Sequence, residues 1–155
     1  MNRKSTRTII LFLSSGFIWY LCFMTFFIFS QAQQILSDPE HQSSKFLKVL
    51  TELEPLPRIF ENPWILYTGI YLISTLAIIV FIFLNEKLSG GWLKKGITFG
   101  LINWVLMIPW FEFYLPYNVM HEPFILVLLE CVLWLGTLIS AFVIYSFIYN
   151  FGRNP

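Results

Sequence analysis

The sequence is poor in charge. Asp, Glu, Lys and Arg make up 12 % of its 155 residues, about half the share of an ordinary soluble domain. A water-soluble fold of this size needs more polar surface than that to cover its core, so a soluble domain is excluded. Cysteine is nearly absent, and Cys22 and Cys131 stand alone in separate apolar runs. Without a C-x-x-C or a clustered pair there is no disulfide framework and no dithiol redox centre; each thiol acts as a small hydrophobe. Histidine is confined to His41 and His121, both in connectors. With none inside an apolar run, neither a membrane cytochrome with axial His ligands nor an intramembrane His-based metal centre is expected. His121 and Glu122, with Glu112, form at most a weak metal signal. Gly-rich phosphate loops, G-x-S-x-G and H-E-x-x-H are all missing, so hydrolysis and phosphoryl transfer have no support and an enzyme is not expected. No cofactor is implied. The net charge is +1, and no basic face is available for nucleic acid.

Apolar length is what the chain has in quantity. Residues of the AVILMFWYC set make up 57 % and aromatics 19 %. Four runs approach or exceed the roughly 20 residues that cross a hydrocarbon layer of about 30 Å, at 8–29, 63–84, 96–115 and 123–149. The expected fold is all-α, a transmembrane four-helix bundle of two antiparallel hairpins forming a single membrane domain. Asn62 and Pro63 supply a cap and a first helical residue for the second span. Gly90-Gly91 breaks the chain before the third, and Pro116-Tyr117-Asn118 begins the turn before the fourth. Ser30-Gln31-Ala32 after the first run resembles a signal-peptidase site. A cleaved signal is the rival to an uncleaved anchor, although the run is longer than the usual signal core.

The one sizeable loop, 30–62, contains Asp38-Pro39-Glu40, which reads as a helix start with Asp38 as the cap. Phe46, Val49, Leu50 and Leu53 recur at helical spacing, with Lys45, Lys48, Glu52 and Glu54 around the rest of the cylinder. The pattern predicts a short amphipathic helix lying on the bundle rim or the membrane surface, ended by Pro55 and Pro57. Arg3, Lys4, Arg7, Lys87, Lys94, Lys95 and Arg153 fall on one side of the spans, and only Lys45, Lys48 and Arg58 on the other. Seven against three puts both termini in the cytoplasm by the positive-inside rule. The short basic N-terminus, with no Arg/Ser-rich presequence, points to a bacterial inner membrane.

Two acids interrupt the spans. A carboxylate inside a membrane is costly and is paired, protonated or turned to water, so Glu112 and Glu130 are candidate site residues. Glu112 lies about three residues from the end of its expected span, roughly 5 Å, and Glu130 about seven residues in, roughly 10 Å. The short turn between these spans makes them antiparallel neighbours, which allows the two acids to share a proton or a cation. No Lys or Arg lies inside a span to pair with them, which favours the neutral form. Asn103, near the middle of the third span, is a third candidate, expected to find its partner across a helix–helix contact. Pro109 is expected to disturb the third helix and free the carbonyl of Val105. On the fourth span Glu130, Trp134, Thr137 and Ala141 share a face, beside Gly136 and Ser140 at small-xxx-small spacing, and that face reads as a packing seam. Gly16/Trp19 and Gly100/Trp104 recur in equivalent places and suggest an internal duplication.

Lys95-Gly96-Ile97-Thr98-Phe99-Gly100, followed by Pro109, resembles a pattern in small bacterial four-helix membrane proteins of no known activity. The resemblance covers about residues 90–150. It implies a two-hairpin bundle and transfers no site residue. Two function classes follow from the residues themselves. The first is a small multi-pass accessory or structural protein whose partners are the lipid bilayer and either further copies of itself or another membrane protein. The alternative is a carrier for a proton, cation or small amphiphile, built on Glu130 and Glu112.

Overall fold

A computed structural model describes residues 3–52, 54–55 and 57–151. Leu53 of the expected amphipathic helix and Arg153 of the charge count lie outside these residues. Helix α1 (Arg3–Phe23) runs on as a π-helical turn over Met24–Ile28. Short helices α2 (Ala32–Leu36), α3 (Ser44–Thr51) and α4 (Arg58–Glu61) follow. Then come α5 (Trp64–Asn85), α6 (Trp92–Glu112), its π-helical continuation Phe113–Val119, and α7 (Phe124–Asn150). No strand occurs among the described residues. Four helices are long and apolar enough to cross a membrane. Their flanks carry bare apolar side chains: Leu106 is 73 % exposed, Ile125 70 % and Phe83 69 %. A soluble monomer does not leave large apolar faces open to water, so lipid is the solvent these helices are built for.

The four long helices pack in the order α5, α1, α7, α6. The closest pair is α6 and α7. A Cβ built on Gly96 would stand 2.6 Å from the Val143 Cα, and one on Gly100 2.9 Å from the Ile139 Cα. These glycines, four apart, let two backbones touch, which is how membrane helices associate where no hydrophobic force separates helix from lipid. Gly136 on α7 instead accommodates the Phe26 ring from the π turn after α1. Gly16 meets Tyr71 within the first hairpin as Gly100 meets Ile139 within the second. The tryptophans are not equivalent: Trp19 packs edge-on against Phe142, whereas Trp104 donates its indole N–H to the Cys131 carbonyl at 2.8 Å.

Thr137 and Ala141 are fully buried, as a seam requires. Polar groups lock the bundle at two levels besides the site described below. At mid-span the Tyr145 hydroxyl donates to the Ser15 carbonyl of α1 at 2.7 Å. At the end carrying the termini, Asn85 and Asn150 exchange amide hydrogen bonds of 3.1 and 3.0 Å. Beside them Ser146 Oγ donates to the Trp92 carbonyl at 2.7 Å and Lys95 Nζ to the Asn85 carbonyl at 2.8 Å.

Three expectations need correction. Asp38 does not cap the amphipathic helix: its Oδ1 accepts from the Glu40 N–H at 2.9 Å, closing a turn. Ser43 is the cap, accepting from the Lys45 and Phe46 N–H groups. An Asp two residues before an N–H satisfies a turn as readily as a helix start, and Ser43 lies closer to the first apolar position. Phe46, Val49 and Leu50 are half-buried and Lys45 and Lys48 exposed, so the amphipathic face itself lies as expected. Second, the third helix starts at Trp92, not 96, because Gly91 already supplies the extended residue before it. Third, it does not end at 115. Pro116 has no N–H to give the Glu112 carbonyl, and the chain widens into π geometry instead of breaking, with the Met120 N–H reaching the Leu115 carbonyl at 2.9 Å. Asn62 caps α5 as expected, its Oδ1 accepting from the Trp64 N–H at 3.1 Å.

Candidate functional site

The π continuation of α6 decides where Glu112 lies. With seven further helical residues beyond it, Glu112 is not near the helix end. It sits inside the bundle with 2 % of its surface exposed. Glu130 projects from α7, and the two carboxyl groups lie within hydrogen-bonding reach of each other. The Trp134 indole, one turn along α7 from Glu130, approaches the Glu112 carboxyl. Trp134 is in turn enclosed by Phe27 and Phe23, its ring centre 4.9 and 5.6 Å from theirs. Phe27 belongs to the first π turn. Both departures from α-geometry therefore shape this one region, one by bringing aromatic cover, the other by carrying α6 past its acid.

A third acid completes the group. Glu122 precedes α7 and is 1 % exposed. Its Oε1 accepts from the side-chain amide of Gln42 at 2.8 Å, and that amide also donates to the Leu36 carbonyl at 3.2 Å. Ser43 Oγ donates to the Met120 carbonyl at 2.6 Å. Through these bonds the segment 32–51 is fastened as a lid over the ends of α6 and α7. Burial pushes the Glu122 carboxyl above its ordinary range, although the Gln42 amide pulls it part of the way back. The bend that turns Glu122 inward passes through His121, whose φ of 58° places it in the left-handed region. His121 itself is exposed, so the two adjacent residues face apart and do not converge on one ion. Among the described residues no group of three His, Cys, Asp or Glu side chains has the geometry to hold a metal.

The chemistry of the group is set by what it lacks. Glu112 Oε2 and Glu122 Oε2 are enclosed with no hydrogen-bond partner. No Lys or Arg pairs with any of the three acids among the described residues. Two carboxylates in contact without a cation cannot both stay ionised. A proton held by Glu112 or Glu130 turns an acceptor–acceptor contact into a hydrogen bond and removes a buried charge in one step.

Asn103 does not belong to this group. Its amide donates to the Phe99 carbonyl of its own helix at 2.9 Å. That is the correction to its expected interhelical role: a carbonyl one turn back on the same helix is within reach of a short amide and takes the bond. Asn103 lies on α6 about 13 Å along the axis from Glu112. In the sequence Glu122 stands out only as part of the weak metal signal with His121 and Glu112, because it sits outside the apolar runs. The available signal was a Glu wedged between a turn and the Pro123 that starts a span, with a Gln in the one loop long enough to reach it. Comparison with protein-family models, with curated proteins and with solved structures gives no match, so the likeness carried by Lys95–Gly100 and Pro109 rests on those residues alone.

Proposed function

We propose that the chain is a multi-pass accessory protein of a membrane, acting through helix packing with copies of itself or a membrane partner, and not an enzyme. Its Glu112–Glu130 pair serves as a protonated pin between α6 and α7. The observation that carries this reading is the enclosure of Glu112. It is 2 % exposed, with the Trp134 indole against its carboxyl and the half-buried Glu130 beside it, and the five best-formed hollows on the molecule have none of Glu112, Glu122 and Glu130 in their linings. A carrier site needs a path for its cargo, and a pin needs none. The Lys and Arg distribution supports placing the lid outside and both termini in the cytoplasm.

The second reading, a proton or cation carrier, is favoured by the two orphaned Oε2 atoms, which are acceptors awaiting a donor. Reconstitution separates the two. Proteoliposomes holding the wild-type chain are expected to keep an imposed pH gradient as long as empty liposomes do, and Glu130→Gln to behave alike. A gradient that collapses with the wild type and survives with Glu130→Gln establishes the carrier in place of the pin.

A further inference from the structure

A separate feature lies on the lipid-facing side of α7. Between that helix and the lid runs a groove of about 950 Å³. Its wall descends α7 through Ile125, Leu128 and Val132, a drop of seven residues, about 10 Å. Its rim is formed by Asp38, Glu40 and His41 of the lid. The groove is thus graded along the helix axis in the same sense as one leaflet of a bilayer, polar where the helix ends and apolar inward.

The rim is also selective in charge. Its polar lining is two carboxyl groups, one imidazole and the neutral amide of Gln34, and neither Lys nor Arg contributes to it. Asp38 is fixed in place, with Oδ1 accepting from the Glu40 N–H at 2.9 Å and Oδ2 2.8 Å from His41 Nδ1. The Glu40 N–H and the His41 ring hold its carboxyl below the usual carboxylate range, so it is a standing anion. An anionic headgroup is repelled by such a rim. A quaternary ammonium brings charge but no donor. A primary ammonium brings charge and N–H donors to groups that accept.

We infer that this groove is a binding site for a bilayer phospholipid with an ethanolamine headgroup, its ammonium against Asp38 and Glu40 and one acyl chain along Ile125, Leu128 and Val132. The site is independent of the Glu112–Glu130 pair and of the packing role proposed above.

The test uses the full chain in nanodiscs of equal phosphatidylethanolamine, phosphatidylglycerol and phosphatidylcholine with matched acyl chains. Native mass spectrometry then counts the lipids that leave the disc with the protein. The ethanolamine lipid is expected to be retained over each of the others roughly fivefold, the scale of one exposed ion pair. Asp38→Asn with Glu40→Gln should abolish the preference, because Asn keeps the turn acceptor while the rim loses both charges. Glu40→Gln alone changes an exposed side chain, leaves the fold untouched and should reduce the preference in part. Val132→Trp fills the wall and should lower retention of all three lipids. Equal retention by the wild type, a preference for phosphatidylglycerol, or a preference that survives the double substitution overturns the assignment.

Discussion

Substituting alanine at Gly96 and at Gly69 makes the same chemical change in two membrane helices and should give opposite signs. Nothing lies within 4 Å of a Cβ added at Gly69. There alanine only restricts the backbone, worth up to about 1 kcal/mol in a water-exposed helix. The gain is smaller in a membrane, where the unfolded state keeps its helices, so a change between zero and about 1 kcal/mol of added stability is expected. At Gly96 the new Cβ stands 2.6 Å from the Val143 Cα and 2.9 Å from the Phe142 carbonyl oxygen. Ordinary contact begins at 3.4 Å, so the α6 and α7 backbones must part by about 0.8 Å (3.4 minus 2.6). Both obstacles are main chain and cannot rotate away. Parting the helices also loosens Gly100 against Ile139 and stretches the Trp104–Cys131 hydrogen bond of 2.8 Å. Overpacking of this kind costs about 1–3 kcal/mol, which outweighs the backbone gain. Unfolding in mixed micelles of rising SDS fraction, followed by tryptophan fluorescence, should show Gly96→Ala less stable than wild type by about 1–2 kcal/mol and Gly69→Ala no less stable. If Gly96→Ala stabilises as much as Gly69→Ala, α6 and α7 do not touch at this point.

The acid pair predicts that Glu112→Gln and Glu130→Gln each unfold within about 1 kcal/mol of wild type, since an amide supplies the donor that the proton supplied. Glu112→Ala, which removes the partner and leaves Glu130 facing a void, should cost about 1–3 kcal/mol in the same titration. The lid should tighten in acid. A carboxyl whose folded range is raised by burial, as Glu122's is, stabilises the folded state fully below its unfolded value and loses that contribution as pH rises through the folded one. Hydrogen exchange of Gln42–Val49 should therefore slow as pH falls from about 8 to 5 after correction for intrinsic rates, and Glu122→Gln should remove the dependence. Asp38 is shifted the other way by the Glu40 N–H and His41. Its contribution disappears only as pH falls below the ordinary Asp range, so it does not mask the Glu122 effect. Ser43→Ala deletes both the α3 cap and the bond to the Met120 carbonyl and should cost the lid about 1–2 kcal/mol, read as protease cleavage within α3 while α7 stays protected.

The architecture was legible because a lipid solvent leaves the backbone few choices. Runs of about 20 apolar residues must be helices there, and α5 and α7 begin and end within a residue of where hydropathy and Pro placement put them. Glu112 and Glu130 were findable for the same reason, since a carboxyl inside such a run is an anomaly. What resisted reading was the local behaviour of proline and small polar residues. Pro116 carries the same sequence signal whether it stops a helix or widens one, and the difference is decided by packing against α7. That choice moves Glu112 from the edge to the interior. Asp38 and Ser43 are both good caps, and only the docking of Ser43 onto Met120 selects between them. The contact of Gln42 with Glu122 joins residues 80 positions apart, and no periodicity within either segment encodes it.

The most direct measurement is infrared difference spectroscopy of the reconstituted protein at neutral pH. A protonated carboxyl has a C=O stretch well separated from that of a carboxylate. A dry, proton-sharing pair predicts that this band is present in the wild type, moves only slowly on transfer to D₂O, and is diminished in Glu112→Gln with Glu130→Gln. If the band is missing at neutral pH, or shifts at once in D₂O, the pair is ionised or open to water and the pin does not exist.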